Sequence, residues 1–365
     1  MIFCKFEVNL LKNISFMRKI TLITGFLLFL LSCGENPENQ SSLHGGTLNL
    51  NEPFKINQIS PYNISNAGEL RLVNAIHGFL FRYNLSTLEV EPYAIRYQQS
   101  DSTNKTFILI LQSNVFFHPD ACFGNALTRK MNSSDIKYSL ELWISQKYTG
   151  KNCPESLLAI EGCKEFLNKK ADNISGLTIS NDSVFKIKCT KTNPLLIDQL
   201  CNMQVAIVPR EAIEKYGNAN TIGIGPFITD GKTSEKGYIL LTRNSRYFLN
   251  DFQQNNLPYL DSVKIFMIGS VREELEMFKS GKLDLITGLN TRTINEFLDE
   301  NINMFQSNPP QYILMQETGS DKNPVYILYH THIKGITLDI YTNPDLSKIY
   351  LIDKPTEINQ TDTLL

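Results

Sequence analysis

The chain has 365 residues, of which 42% are hydrophobic, and it is therefore long enough and apolar enough to bury a sizeable core. Its 35 Lys and Arg residues nearly balance its 37 Asp and Glu residues, which gives a net charge of -2 and a pI near 6.3. A chain with this balance has no summed positive field to attract a nucleic acid or an anionic membrane surface, so we expect no nucleic-acid partner.

The first segment of the chain has the pattern of an export signal. Met-Arg-Lys at 17–19 is followed by an apolar run at 20–31, and Ser32 then precedes Cys33, an arrangement that resembles a bacterial lipobox. The apolar run is shorter than the ~20 residues that span a membrane, although an uncleaved anchor remains the alternative. We predict a signal peptide at 1–32, with Met17 as a possible true start, and a tether at 33–44 whose Cys33 carries palmitate and related acyl chains.

The next elements form the first half of the predicted fold. Alternation at 46–50 predicts a strand, the segment 59–63 predicts an irregular loop, and a helix follows at about 69–79. The segment 106–111 is apolar on both faces, which predicts an interior strand. Asn132 and Asp135 predict a helix start, and one apolar stripe continues through Ile136, Leu140, Trp143 and Ile144.

The second half of the chain continues the mixed pattern. Two strands are predicted within 176–187 around a turn at Asn181 and Asp182, and a short helix ends near Gly217. The glycine-rich segment 223–227 lacks the spacing of a phosphate loop, so we interpret it as a tight turn. Further predicted elements are a strand at 237–242, a strand at 263–268, a helix through Val271, Leu275 and Phe278 that stops at Gly281, and a strand at 283–286. The last strand, helix and strand suggest a parallel crossover.

Five cysteines follow Cys33, and their spacing leaves their pairing open. They are Cys122, Cys153, Cys163, Cys189 and Cys201. In an oxidising envelope Cys153–Cys163 or Cys189–Cys201 could pair, whereas the odd count argues against a disulfide scaffold. No CxxC motif or histidine-rich spacing is present, so we expect no metal site and no cofactor.

Six segments, in this order, resemble the motifs of the extracytoplasmic solute-binding proteins of family 5, which serve peptide, nickel and related ABC importers. They are 45–48, 107–118, 132–139, 223–227, 243–247 and 278–284. The resemblance extends from residue 45 to about residue 288 and reappears at 324–352. It departs from the family after residue 288, where the chain lacks most of the segments that build the family's second lobe.

The resemblance implies an α/β fold of the periplasmic binding protein-like class II, with mixed sheets, flanking helices and a second lobe that is largely missing. Lobe I would comprise 45–288 and 324–352, with a family-like return strand at 325–329. The segment 289–323 would be the remnant of lobe II, and 353–365 would be a tail.

The resemblance also implies a function and a site. We expect a monomeric lipoprotein of the cell envelope, facing the periplasm or the exterior, that captures oligopeptides or similar small solutes and delivers them to an ABC permease with its ATPase. The loop after the first strand is the best candidate to contact the solute, through Tyr62, Asn63 and Ser65. The alternative for these three residues is that they only cap a turn.

Two other classes of function compete with this interpretation. No Gly-x-Ser-x-Gly or His-Glu-x-x-His motif is present, so we expect no catalysis. Asp284 could belong to a paired-carboxylate glycosidase, but its core-strand context favours a structural role. The stronger alternative is a degenerate, non-transporting envelope lipoprotein that retains only lobe I.

Overall fold

The computed structural model describes residues 44–307, apart from residues 85, 86, 88, 150, 151, 202–204 and 252, and the backbone of two strands at 312–317 and 325–330. The predicted signal peptide, Cys33 and the predicted tail at 353–365 lie outside the described residues. Within this described part, no helix combines the length and the apolar character that crossing a membrane requires.

The described helices and strands alternate along the chain. The helices are α1 (Ala67–Ile76), α2 (Ser133–Lys147), α3 (Glu155–Leu158), α4 (Cys163–Leu167), α5 (Leu196–Leu200), α6 (Arg210–Tyr216), α7 (Val271–Lys279) and α8 (Thr291–Gln306). The strands are β1 (Thr47–Asn51), β2 (Phe81–Tyr83), β3 (Val90–Pro92), β4 (Ile95–Ser100), β5 (Thr106–Leu111), β6 (Leu177–Asn181), β7 (Val184–Lys188), β8 (Phe227–Ile228), β9 (Tyr238–Arg243), β10 (Ser262–Phe266), β11 (Leu285–Asn290), β12 (Tyr312–Glu317) and β13 (Val325–His330). Helix α1 begins two residues before its predicted start because Asn66 caps it, accepting a hydrogen bond from Glu69 N at 2.9 Å.

The first sheet has the strand order β1-β10-β9-β8. β1 pairs with β10 in parallel, with Leu48 opposite Val263, and the other pairs are antiparallel. Apolar residues alternate along these strands, so their side chains share one face and form a core with α1. Members of this core are Leu48, Leu50, Leu72, Val73, Ile76, Ile239, Leu241, Val263 and Ile265.

The second sheet has the order β4-β5-β7-β6 and is antiparallel throughout. β5 lies inside this sheet, as predicted. The turn between β6 and β7 also lies where it was predicted, and Asn181 Oδ1 accepts there from Ser183 N at 2.9 Å. Helix α2 packs against β6 and β7, and the predicted stripe of Ile136, Leu140, Trp143 and Ile144 is fully buried. Its predicted start is confirmed, because Asn132 and Asp135 form a capping box.

A third sheet of described strands has the order β11-β13-β12 and is antiparallel. The predicted parallel crossover from β10 through α7 to the next strand is wrong. That next strand, β11, pairs with β13 and not with a strand of the sheet that contains β10. The residue before β11 is still hydrogen-bonded to the first sheet, since Asp284 N donates to Asn49 O at 3.0 Å. Within the third sheet, β13 lies between β11 and β12. The division of 289–352 between two lobes stays a prediction.

The glycine-rich segment 223–227 packs against the end of α1. Gly225 N donates to Ile76 O at 2.9 Å, and a Cβ at Gly225 would lie only 2.5 Å from that oxygen. A Cβ at Gly223 would lie 2.3 Å from the same atom. The two glycines are therefore required by the close approach of two backbones, and not by a phosphate group.

Candidate functional site

The parallel strands β1 and β10 end side by side, with Asn51 opposite Phe266. In open α/β sheets, ligands bind beyond the carboxyl ends of parallel strands, where the connecting segments diverge. The segments that leave these two ends are 52–66 and 267–270, and the first contains the three predicted site residues. Together they define the candidate site.

The side chain of Asn51 joins the two segments. Its Nδ2 donates to Ile268 O at 2.9 Å, and its Oδ1 accepts from Ile268 N at 2.8 Å. Nδ2 also lies 2.7 Å from Glu274 Oε1, to which it donates. Burial raises the pKa of Glu274, and the hydrogen bond from Asn51 opposes that shift. Asn51 therefore fixes the path of the chain after β10.

A second set of polar contacts fixes the loop after β1. Glu52 is buried and forms an ion pair with Arg71 of α1. Glu69 Oε2 accepts from Ser65 N at 2.8 Å and from Ser65 Oγ at 2.7 Å. Because these contacts anchor both ends of the loop to α1, the loop is held before any solute binds.

The three predicted site residues have different surroundings. Tyr62 packs against the larger core, which contains the buried residues of β5 and the apolar stripe of α2. Its Oη is buried with no hydrogen-bond partner among the described residues, and burial raises its pKa. Asn63 is exposed, while the Ser65 hydroxyl is used in the contact with Glu69. The Ser65 hydroxyl is thus engaged with Glu69 at the start of α1, and Asn63 lies in solvent. A solute contact for all three residues stays a prediction.

A cavity of about 700 Å³ lies beside this site, on the polar face of the first sheet. Its wall includes Tyr238 of β9 and Phe266 of β10, whose ring centroids are 5.2 Å apart, and it extends to Met267 and Ile268. α7 and the turn after it close another side. The volume falls within the range of about 300–1,000 Å³ that is usual for small-molecule sites.

The charge on the cavity wall is positive, although the chain as a whole is slightly acidic. Lys236, Lys264 and Lys282 line it with Glu273, so three basic residues and one acidic residue contribute to the wall. Lys264 Nζ lies 5.4 Å from the centroid of the Tyr238 ring. No ion pair between described residues involves any of the three lysines. Such a wall favours a ligand that carries both an anionic group and an apolar part.

Sequence reasoning missed this cavity because its lysines come from three separate elements. Lys264 occupies a polar position in the alternating pattern of β10, and Lys236 precedes β9. Lys282 follows α7. Alternation could have placed Lys264 on the polar face, but only the pairing of β9 with β10 and the return of α7 bring the three together.

The carboxylate considered for a glycosidase has a structural role in this arrangement. Asp284 is buried, and its Oδ2 accepts from Asn49 N at 2.6 Å and from Asn49 Nδ2 at 2.9 Å. These contacts hold the start of β11 beside β1. The Asp284 oxygen that accepts both bonds is therefore engaged in fixing two strands.

Comparison with known proteins identifies one matching family model and several similar structures. The model of the bacterial extracellular solute-binding proteins, family 5 middle, matches residues 89–331. The periplasmic binding protein AgaA of Agrobacterium tumefaciens R10, solved with agropinic acid, is 20% identical with a TM-score of 0.56, and the match covers 75% of this chain and 48% of AgaA. The Escherichia coli murein tripeptide binding protein MppA is 16% identical with a TM-score of 0.55, covering 74% of this chain and 50% of MppA.

A third similar structure is the periplasmic binding protein DppA from Helicobacter pylori, solved with the peptide STSA. It is 15% identical with a TM-score of 0.57, and the match covers 76% of this chain and 51% of DppA. This chain thus spans about half the length of the structures it matches. No curated protein sequence matches it.

Proposed function

The chain belongs to family 5 of the bacterial extracellular solute-binding proteins, and from this membership we propose that it binds oligopeptides or similar small acids and delivers them to an ABC importer. The predicted fold class is confirmed, since the mixed α/β architecture matches periplasmic binding proteins of class II. The family is a solute-binding family outside the cytoplasm. The solute, the transporter and the lipid anchor belong to the proposal.

The observation that supports the proposal most directly is the lysine-lined cavity next to the ends of β1 and β10. A peptide carries a terminal carboxylate and apolar side chains, and the cavity offers ammonium groups beside the rings of Tyr238 and Phe266. DppA was solved with a peptide and AgaA with agropinic acid, and both of these ligands are acids. We therefore assign the carboxylate of the solute to Lys264 and its lysine neighbours.

Two features support the proposed delivery of the solute to a permease, namely the family membership and the sequence of the first segment. In two-lobed binding proteins, closure around the solute produces the form that a permease distinguishes from the empty form. Acylation of Cys33 would hold this chain in the cell envelope, close to the permease. The proposal includes no catalytic step and no cofactor.

A thermal-shift panel of di- to pentapeptides tests solute binding on the purified protein. A ligand that binds only the folded state raises the midpoint of unfolding, so at least one peptide should do so. For that peptide, Lys264→Ala should weaken binding at least about tenfold, as expected for a lost charged contact. Lys186→Ala is the matched control, because Lys186 is exposed on β7 of the second sheet. A flat response to the whole panel contradicts the proposal.

The lipid anchor and the transport step need separate experiments. Cys33→Ser should move the protein from the membrane fraction to the soluble fraction, and unchanged fractionation rules out acylation at this residue. A strain without the gene should import the identified solute more slowly than its parent. Binding without any loss of import would favour the non-transporting alternative.

A further inference from the structure

Two of the five cysteines beyond Cys33 come together in the larger core. Cys153 precedes Pro154, the N-cap of α3, and Cys163 is the first residue of α4. Cys163 has no exposed surface and Cys153 is 9% exposed. Their side chains are hydrogen-bonded to each other. Both thiols are therefore buried, and each has the other as a partner.

The other pairing that the sequence left open is not favoured. Cys189 Sγ accepts a hydrogen bond from Asn193 Nδ2 at 3.4 Å, and Cys201 is hydrogen-bonded to Tyr83. Each of these two thiols thus has its own partner elsewhere in the core. The contacts of the four thiols therefore favour the pair Cys153–Cys163 over the pair Cys189–Cys201.

The backbone between Cys153 and Cys163 is a continuous series of turns. Leu157 N donates to Pro154 O at 3.0 Å, Ile160 N to Leu157 O at 3.0 Å, and Cys163 N to Ile160 O at 3.0 Å. Gly162 has φ +80, and a Cβ there would lie 2.5 Å from Ser175 Oγ. The end of the segment next to Cys163 is therefore fixed at a position that only glycine can occupy without strain.

Export places this pair in an oxidising compartment, because the family is extracellular and disulfides form and persist there. We propose that Cys153 and Cys163 form a disulfide bond in the exported protein. The bond closes the short loop that contains α3 and ties it to α4. This inference rests on the family membership and on the contact of the two thiols, and not on solute binding.

The oxidant in this reaction is a disulfide donor, such as a protein dithiol oxidase in its oxidised form or glutathione disulfide. The thiolate of Cys153 attacks one sulfur of the donor, a mixed disulfide forms, and the first donor thiolate leaves. The thiolate of Cys163 then attacks the sulfur of Cys153 and displaces the second donor thiolate. Two electrons pass to the donor, and its two thiolates take up the two protons that the cysteines release, which gives the dithiol form of a protein oxidase or two molecules of glutathione.

The order of attack follows from the two environments. Cys153 is the more exposed thiol, and the hydrogen bond with Cys163 lowers its pKa. The same contact, together with burial, raises the pKa of Cys163. Cys153 is therefore the group that meets the donor, and Cys163 resolves the mixed disulfide.

Trypsin provides a direct test, because it cuts after Lys151 and Lys164 and releases both cysteines in the single peptide 152–164. The full chain is exported to the periplasm and denatured in the presence of N-ethylmaleimide and without a reductant. It is then digested with trypsin. We expect the peptide to carry no maleimide and to weigh about 2 Da less than its dithiol, the mass of two hydrogen atoms. Reduction before alkylation should add two maleimides.

Controls separate this bond from other oxidation events. In Cys153→Ser, Cys163 should be alkylated, whereas Cys189→Ser should leave the peptide unlabelled. The same chain retained in the cytosol should carry two maleimides on the peptide. Two maleimides on the peptide from the exported wild type, or a link from Cys153 to another cysteine, would overturn the proposal.

Discussion

Acidification should destabilise this protein through two buried histidines. His77 follows α1 and His118 lies beside the glycine-rich segment, and both are fully buried. His77 Nε2 donates to Asn220 O at 3.1 Å, and its Nδ1 is buried with no hydrogen-bond partner in the part of the chain that the structure describes. His118 Nε2 donates to Gly225 O at 3.0 Å. His118 Nδ1 lies 3.4 Å from Thr221 O. Neither ring has a carboxylate among these contacts, so the charge of a second proton would be buried without an opposite charge beside it.

Burial is the main cause of the histidine shifts, and the mutual repulsion of the two rings adds to the shift of His77. The pKa of His77 falls from 6.5 to about 3, and burial also lowers the pKa of His118. Between about pH 3 and pH 6.5 the unfolded chain therefore binds more protons than the folded chain, so stability falls as the pH falls. At about pH 5, His77 alone should cost about 2 kcal/mol, at about 1.4 kcal/mol per pH unit below 6.5. His118 acts in the same direction.

Two carboxylates, that of the half-buried Glu141 and that of the buried Glu274, oppose this trend at lower pH. Burial raises the pKa of Glu141 and Glu274, so these groups take up protons more readily in the folded chain than in the unfolded chain. The effect of these two carboxyl groups on stability sets in at a pH closer to the ordinary titration range of a glutamate, which lies below that of a histidine. The interval between about pH 7.5 and pH 5 therefore isolates the histidines best.

Urea unfolding measured by tryptophan fluorescence provides the assay. Trp143 is the sole tryptophan and is fully buried in α2, so its emission reports the core. His77→Gln keeps an amide that can donate to Asn220 O but cannot titrate. Between about pH 7.5 and pH 5 the wild type should lose about 2 kcal/mol more unfolding free energy than the variant. Comparing each protein with itself removes the packing cost of the substitution. Equal losses in the two proteins would refute the reasoning.

Two further predictions concern the local structure. Asn132→Ala should lower the unfolding free energy by about 1 kcal/mol because it removes the cap of α2, and Ser145→Ala on the exposed side of that helix should have almost no effect in the same urea experiment. Gly225→Ala should cost about 3 kcal/mol or prevent folding, because its Cβ would lie 2.5 Å from Ile76 O; Gly269→Ala, whose nearest contact would be 3.5 Å, should be tolerated. Equal urea midpoints for the two alanine variants of glycine would contradict the packing described here.

Local patterns in the sequence predicted the local structure of this protein. The stripe of α2 and its cap at Asn132 depend on residues within one helix, and the turn at Asn181 depends on neighbours in the chain. Long-range pairing was harder to predict. β11 was expected to follow β10 by a parallel crossover, yet its described ladder is with β13, and such a choice depends on partners far along the chain.

The candidate site was only partly predictable for the same reason. The loop after β1, which was expected to contact the solute, leaves the sheet where β1 and β10 end side by side. Ser65, however, is hydrogen-bonded to Glu69 beside the Asn66 cap of α1, and the apolar ring of Tyr62 packs against the core. The basic cavity combines Lys236, Lys264 and Lys282 from separate elements, so no motif in the sequence marked it.

Calorimetric titration of one peptide in two forms tests the central claim most directly. The best peptide of the panel is compared with its C-terminally amidated form, which has the same side chains but no terminal carboxylate. The acid should bind at least about tenfold more tightly than the amide, and Lys264→Ala should remove that difference while Lys186→Ala retains it. Equal affinity for the two forms in the wild type, or no heat from either, would contradict a solute site at the lysine-lined cavity.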